Sequence, residues 1–340
     1  MEEFEVVPAI SLPPGHLKDF YYRTYADRAD FLTRHWKWIY SGGTPKNSEL
    51  WPIIAKTASG QLIGHASTIP ATFCVGGEKV SGRWFVDFFV SPDSRGGGVG
   101  SVLIKKIMDS ASIVIAIGAS QQGARTFLKY GWAEHSDSTL FYLPINISRH
   151  PRFRSNILSK GLSLIDVVRR IFYNAKAGNR RGDYSLDRIN HEIPTELHEQ
   201  VPMDYRISQL HDPTFFEWRL VRSPMRDQIY LYRSHHSLAL IRLIKGARFL
   251  RLNILKVKSN SPKDFCQDML HIALQYRADE IAVVSSTNSQ QRIFEQFFPI
   301  RKPLPFFLFS NPSLQISDLP ITNSRWEFID SDLDLAYSDH

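Results

Sequence analysis

Cysteine is nearly absent: Cys74 and Cys266 stand far apart in 340 positions, in no Cys-x-x-Cys spacing. They can build neither a disulfide framework nor a cysteine zinc site, and a reducing, cytoplasmic setting fits such usage. Long apolar runs are missing too, since no stretch reaches the roughly 18 residues that suggest a membrane span. The start, MEEFEVVPAISLPPGHLKDF, is acidic and broken by Pro8, Pro13 and Pro14, unlike a signal peptide. Disorder is excluded for the bulk of the chain, because 43% hydrophobic and 22% charged residues are globular proportions, and the length suits about two domains. Positive charge is in excess. Lys and Arg number 41 against 34 Asp and Glu, a net +7 that favours an anionic partner: nucleic acid, a membrane surface or a phosphorylated small molecule.

The first 145 residues read as a mixed α/β unit. Phe4 to Val7 is a short strand, and His16 to Tyr40 has helical spacing with a break near Ala26, ended by Ser41 to Pro45. Strands are expected over Pro52 to Lys56, Gln61 to Cys74 and Val80 to Val90, parted by Ser59-Gly60 and Gly76-Gly77. A helix carrying Val102, Leu103, Ile104, Ile107 and Met108 follows. Then come a strand (Ile113 to Ile117), a helix (Gln121 to Tyr130) and a strand (Thr139 to Ile145). A faint repeat links the halves: DFLTRHWKWIY, proline, WPIIAK, turn, QLIGHASTI against DPTFFEWRLVRSP, QIYLYR, turn, SLALIRLI. Beyond it the second half continues with a strand (Phe249 to Val257), a helix (Pro262 to Gln275) and a strand (Glu280 to Ser285). A helix (Gln290 to Phe297) and a strand (Pro305 to Phe309) complete it. Between the halves, residues 149 to 181 carry nine Lys/Arg against Asp166 alone, with Ile157, Leu158, Leu162, Ile165, Val168, Ile171 and Phe172 at helical spacing. The pattern is a basic amphipathic helix followed by the loop NAKAGNRRGD. It reads first as a linker packed by its apolar face, with an anion or membrane-surface role as the alternative. The acidic tail with Asp330, Asp332 and Asp334 is expected to fray.

The segment that carries chemistry is WFVDFFVSPDSRGGGVGSVLIKKIM, residues 84 to 108. A strand feeds a turn, and Arg-x-x-Gly-x-Gly (Arg95, Gly98, Gly100) opens a helix. Free N–H groups at a helix start cradle a pyrophosphate, and glycines let phosphate oxygens approach the main chain. A flexible turn has the same composition, so context decides. The spacing is not that of a P-loop, and no GxGxxG sits in an early βαβ unit with an acidic residue about 20 residues on. Asp87 is the only carboxylate in the apolar run VDFFV, a setting that would raise its pKa and suit a general base; a solvent-facing or bulge-capping Asp is the alternative.

In its setting the segment resembles the GNAT (GCN5-related N-acetyltransferase) superfamily, whose acyl-CoA loop reads [Gln/Arg]-x-x-Gly-x-[Gly/Ala] after the fourth strand. The resemblance covers residues 1 to 145 in element order and extends to Gly118-Ala119-Ser120 and to FLKYGW, residues 127 to 132. It implies that Phe88, Phe89 and Val90 pair their backbone with the pantetheine arm. Gly96, Gly97, Gly98, Val99, Gly100 and Ser101 would hold the pyrophosphate, with Arg95 beside it. Ser120 would stand where many members keep an Asn. Asp87 matches the Asp of the Glu-Asp-Phe-Phe-Val run of polyamine acetyltransferases, but Val86 replaces the Glu, which weakens a polyamine substrate. The family's frequent Tyr acid is here Phe127, and Tyr130 is off register.

The expected fold is therefore α/β of the α+β type: two GNAT-like domains, each a mixed, mostly antiparallel sheet flanked by helices. Residues 1–147 would bind acyl-CoA, 148–200 form a basic helical linker, 201–325 a degenerate GNAT-like domain and 326–340 an acidic tail. The degeneracy is read from KVKSNS, residues 256 to 261, where the glycine loop should be, and from Phe294, Phe297, Phe298, Phe306 and Phe307 filling the second groove. The implied activity is transfer of an acetyl or short acyl group from acetyl-CoA, or another acyl-CoA, to a small-molecule primary amine. The preferred acceptor is an anionic amino sugar of polysaccharide or cell-wall assembly, with no metal. The alternatives are an aminoacyl-tRNA-dependent transferase, disfavoured with nucleic acid by the intact loop, and a non-catalytic CoA-sensing or scaffolding module. GASQQG (118 to 123) is not GxSxG, and His235-His236 reads as a solvated turn. Trp36, Trp38 and Tyr40 read as helix-to-sheet packing, with an aromatic platform for the acceptor as the alternative.

Overall fold

The computed structural model describes residues 3–13, 15–42, 52–136, 138–149, 156–177, 184–189, 193–198, 207–246, 249–286, 288–311, 324–327 and 329–330. Among these the order is β1 (Phe4–Pro8), α1 (His16–Tyr25), α2 (Ala29–Ser41), β2 (Ile53–Thr57), β3 (Leu62–Val75), β4 (Glu78–Val90), α3 (Val99–Met108), β5 (Ile113–Ile117), α4 (Gln121–Lys129), β6 (Ala133–His135), β7 (Thr139–Pro144) and α5 (Asn156–Ala177). It continues with β8 (Tyr184–Arg188), β9 (Ile207–Gln209), α6 (Pro213–Phe216), β10 (Ile229–Ser234), β11 (Ser237–Lys245), β12 (Leu250–Ser259), α7 (Pro262–Gln275), β13 (Glu280–Ser285), α8 (Asn288–Phe297), β14 (Ile300–Pro303) and β15 (Phe306–Ser310). No helix among the described residues is long and apolar enough to cross a membrane.

Two compact units result, but they are not the contiguous segments expected. Met1–Ser136, Glu199–Arg219 and Pro305–Ser324 form the first; Asp137–His198, Leu220–Leu304 and Arg325–His340 form the second. In the first the strands run β1-β2-β3-β4-β5-β15-β6, with β9 added at the far end of β3; in the second they run β14-β7-β13-β12-β11-β10-β8. Each sheet is antiparallel except for one parallel step, β4 to β5 and β12 to β13. The orders superimpose position by position, so the faint sequence repeat is a structural one. In each sheet, however, the strand beside the fifth comes from the other half of the chain. The run at Thr139, expected in the first domain, is β7 of the second sheet, and the run at Phe306, expected in the second, is β15 of the first.

The reason is that alternation marks a strand but not the sheet it joins. Phe141 and Leu143 enter the second core, whereas Phe307 enters the first beside Phe127. Phe306 stacks on His135 in the first unit, so only Phe294, Phe297 and Phe298 of the five phenylalanines lie in the second core. The tail departs from expectation as well. Asp330 is 1% exposed and accepts the Glu327 N–H, so it is not frayed there; Asp332 and Asp334 lie outside the described residues. The loop at 178–183 and the turn at 43–45 also lie outside them. In the repeat segment DPTFFEWRLVRSP the helix is short, capped by Asp212 and continued as one wide turn, Glu217–Val221.

Helix α3 is seated by its apolar face. Val99, Leu103, Ile104 and Ile107 recur at helical spacing and are all buried in the first core. Gly64 of β3 lets that helix approach, because a Cβ there would lie 2.8 Å from Val99 Cγ1 and 3.0 Å from Leu103 Cδ1.

Candidate active site

Strands β4 and β5 pair only at Gly82–Ile113, Arg83–Val114 and Trp84–Ile115. Beyond Trp84 they diverge, and the edge of Phe85 to Val90 that faces β5 meets no strand among the described residues. Its other edge stays on β3, with a register shift between His65 and Ser67 that leaves Asp87 and Phe88 bulged out of the ladder. Asp87 has φ +51, in the left-handed region rarely taken by a residue with a side chain. The bulge turns successive side chains to different surroundings. Phe88 packs on Phe85 toward α3, while Phe89 faces Phe20 and Tyr25 of α1.

At the mouth of the gap Gly98 caps α3 with φ +83, and nothing lies within 4 Å of where its Cβ would be. The first N–H groups of a helix have no intrahelical acceptor, so those of Val99, Gly100 and Ser101 are donors in search of one. Gly96 and Gly97 precede them, Gly96 also at positive φ, and Arg95 is anchored to the strand end by a 3.3 Å bond from Nε to the Val90 carbonyl. The residues expected to hold a pyrophosphate are thus brought together at one helix start beside Phe88, Phe89 and Val90. Ser120 is used differently: its hydroxyl oxygen caps α4, accepting the Gly123 N–H at 3.1 Å. Phe127 is buried and stacked on Trp132 at 4.6 Å, so no acid stands there.

Asp87 is not the lone carboxylate in apolar surroundings that the sequence suggested. Its side chain is 2% exposed, with Oδ1 2.6 Å from Arg28 Nη1 and Oδ2 accepting the Tyr40 hydroxyl at 2.8 Å. Burial, and then the Asp87 charge, push the Tyr40 phenol well above its usual range and keep it a donor. Both carboxylate oxygens are thus engaged, one by a guanidinium and one by a phenol, and they tie the bulge to α2 and to the residue before it.

Sequence reasoning missed the group next to it. The Tyr25 hydroxyl lies 2.7 Å from His65 Nδ1 and donates to the Asp87 carbonyl at 2.9 Å; His65 Nε2 lies 2.9 Å from Ser67 Oγ. His65 is fully buried, and that burial, aided by Arg28, pushes its pKa down to about 3, so the ring is neutral. The signal was present in two places: a polar His-x-Ser inside an otherwise apolar strand, and a tyrosine at the helix break that Ala26, with φ +37, creates.

Other features resolve simply. Tyr40 is buried, and Trp38 and Trp218 donate their indole N–H groups to each other's carbonyls, so these side chains serve packing, while Trp36 is half-buried. His235 and His236 are exposed at the turn between β10 and β11. No cluster of metal-ligating side chains occurs among the described residues.

Residues 16–132 match the acetyltransferase (GNAT) family. None of the curated proteins compared with the chain matches it. Among solved structures, N-myristoyltransferase from Saccharomyces cerevisiae with bound myristoyl-CoA is similar at TM-score 0.59 and 13% identity, over 91% of this chain and 83% of that one. GCN5-related N-acetyltransferases from Anabaena variabilis (TM-score 0.53, 12% identity, 90% and 72% covered) and Kribbella flavida (TM-score 0.51, 11% identity, 91% and 72% covered) are similar too. These likenesses extend over both units and establish a tandem GNAT-like fold. The glycine-opened helix, the splayed strands and the family match agree: the chain carries an acetyltransferase (GNAT) family domain, the part of a transferase that takes its acyl group from acyl-CoA.

Proposed function

We propose that this protein is an N-acyltransferase whose first unit binds one acyl-CoA and passes an acetyl or short acyl group directly to a primary amine. The observation that carries the reading is the opening between β4 and β5 beside a helix start lined by Gly96, Gly97, Gly98 and Gly100 within the matched domain. Acyl-CoA would supply the acyl group as a thioester, which the amine attacks with loss of the CoA thiol. Backbone groups of Phe88, Phe89 and Val90 would hold the pantetheine arm as an added strand, and Gly96 to Ser101 with Arg95 the pyrophosphate. Ser120 keeps a hydroxyl hydrogen to donate while its oxygen caps α4.

The proton is assigned to Tyr25. Its hydroxyl, held between His65 Nδ1 and the Asp87 carbonyl, would take the proton that the amine loses while passing its own to the departing thiolate, so that CoA leaves as the thiol and His65 stays neutral and only positions the phenol. Asp87 positions the bulge through Arg28 and Tyr40. The acceptor we favour is an anionic amino sugar of polysaccharide or cell-wall assembly, handled in a reducing cytoplasm; the net charge of +7 and two buried free cysteines support both.

Thiol release from acetyl-CoA, measured against a panel of amines that includes amino sugars, tests the activity. Tyr25→Phe should lower kcat about 10²-fold with the KM for acetyl-CoA unchanged. Asp87→Asn should show its main cost in the urea midpoint, by about 3 kcal/mol, because it removes the carboxylate charge that faces the Arg28 guanidinium. The reverse pattern, full activity in the phenylalanine variant and an unaltered midpoint with a 10²-fold slower asparagine variant, would return the base role to Asp87. Acetyl-CoA binding with no thiol released for any amine would favour a sensing module.

A further inference from the structure

Helix α5 faces the wrong way for a linker in water. Asp166 is buried, with its carboxylate oxygens accepting the N–H groups of Ile147 and Ser148 at 2.7 and 2.9 Å. Arg169 donates to the Pro144 carbonyl at 2.6 Å, and Arg170 to Asn146 Oδ1 at 2.9 Å. Tyr173 and Ala177, also buried, join the second core on the same side. At 3.6 residues per turn, the residues opposite are Leu164, Ile165, Val167, Val168, Ile171 and Phe172, spread over an arc of about 160°. All six are between 49% and 73% exposed. The sequence expectation is thus inverted: Ile165, Val168, Ile171 and Phe172, assigned to packing, point outward, and the charged side chains secure the helix from within. So many large apolar side chains on one exposed face mark an interaction surface.

Charge identifies the occupant. Arg149, Arg152, Arg154 and Lys160 precede the stripe in sequence and Lys176, Arg180 and Arg181 follow it, and no acidic residue lies between 149 and 181 except the buried Asp166. An apolar stripe carried by so basic a stretch of sequence matches a bilayer that offers acyl chains below a negatively charged surface. Helix α5 is not long and apolar enough to cross the bilayer. We propose that the outward face of α5 seats in the interfacial layer of an anionic membrane, with Leu164, Val168, Ile171 and Phe172 immersed.

Flotation of the full chain with phosphatidylcholine vesicles, with and without about one third phosphatidylglycerol, tests this. Partition should be at least about tenfold higher with the anionic lipid, and should fall as salt rises from about 0.1 M to about 0.5 M. Val168→Glu/Phe172→Glu, at two exposed positions, should keep the circular dichroism spectrum and lose about tenfold or more of the partition. As a direct reading, Ile171→Cys can carry an environment-sensitive fluorophore, since both native cysteines are buried. Its emission should shift to the blue with the anionic vesicles and not with neutral ones. Failure to bind anionic vesicles, binding that the double variant leaves intact, or a label that reports no apolar surroundings would each overturn the proposal. A concentration-dependent dimer that the double variant dissociates, without vesicle binding, would assign the face to a second copy of the chain instead.

Discussion

At the scale of single residues, the site depends on two polar clusters that share one bulge: Asp87 with Arg28 and Tyr40, and His65 with Tyr25 and Ser67. His65 gives the protein a pH dependence whose sign follows from its burial. Folded, it stays neutral down to about pH 3. Unfolded, it takes a proton near its ordinary value of about 6.5. Its contribution is therefore complete above about pH 6.5 and is lost as the pH falls toward 3, since only the unfolded state gains the proton in that window. Between pH 7 and pH 5 this single group should cost about 2 kcal/mol of stability. His65→Asn removes the titrating group, so its urea midpoint should decline less than the parent's over the same interval. Parallel declines would mean that the imidazole is protonated in the folded state.

At the scale of elements, much was legible and the reason is local. Helix α7 was read at its observed limits, and β5 and β13 likewise, because prolines, glycines and apolar periodicity punctuate them. The contrast between α3 and α7 was legible too. Helix α7 begins with Pro262, which has no N–H, Ser261 spends its own N–H on Ser259 Oγ, and Asp264 adds negative charge in the first turn, where α3 has glycines and no carboxylate. What could not be read was convergence. Tyr25, His65 and Asp87 belong to three elements, and only the bulge brings them together; the outward apolar face of α5 likewise depends on which side its polar anchors find partners. Helix α3 also depends on an unremarked neighbour, Gly64. Gly64→Val places methyl groups where Val99 and Leu103 now pack. It should destabilise the first unit by about 1–3 kcal/mol and weaken acetyl-CoA binding, read by thermal melting and calorimetry. Unchanged binding would show that the position of α3 does not govern the phosphate site.

At the scale of the whole molecule, the exchange of β7 and β15 ties the halves of the chain into one folding problem. Strand β15 pairs with both β5 and β6, and Phe307 fills the first core, so a chain ending at residue 200 would leave β5 with an open edge and a vacancy beside Phe127. Such a truncation should yield an unfolded or aggregated product by circular dichroism and proteolysis, whereas two independent domains would leave a folded acyl-CoA binder. The units repeat one sheet order, yet among the described residues only the first has a glycine-opened helix start beside its splayed strands. The central claim is that this single opening takes the acyl donor. Calorimetric titration of the full chain with acetyl-CoA tests it most directly: the account requires one site per chain, abolished by Gly98→Glu through bulk and like charge with the melting transition retained. Two equivalent sites, or binding that survives the substitution, would contradict it.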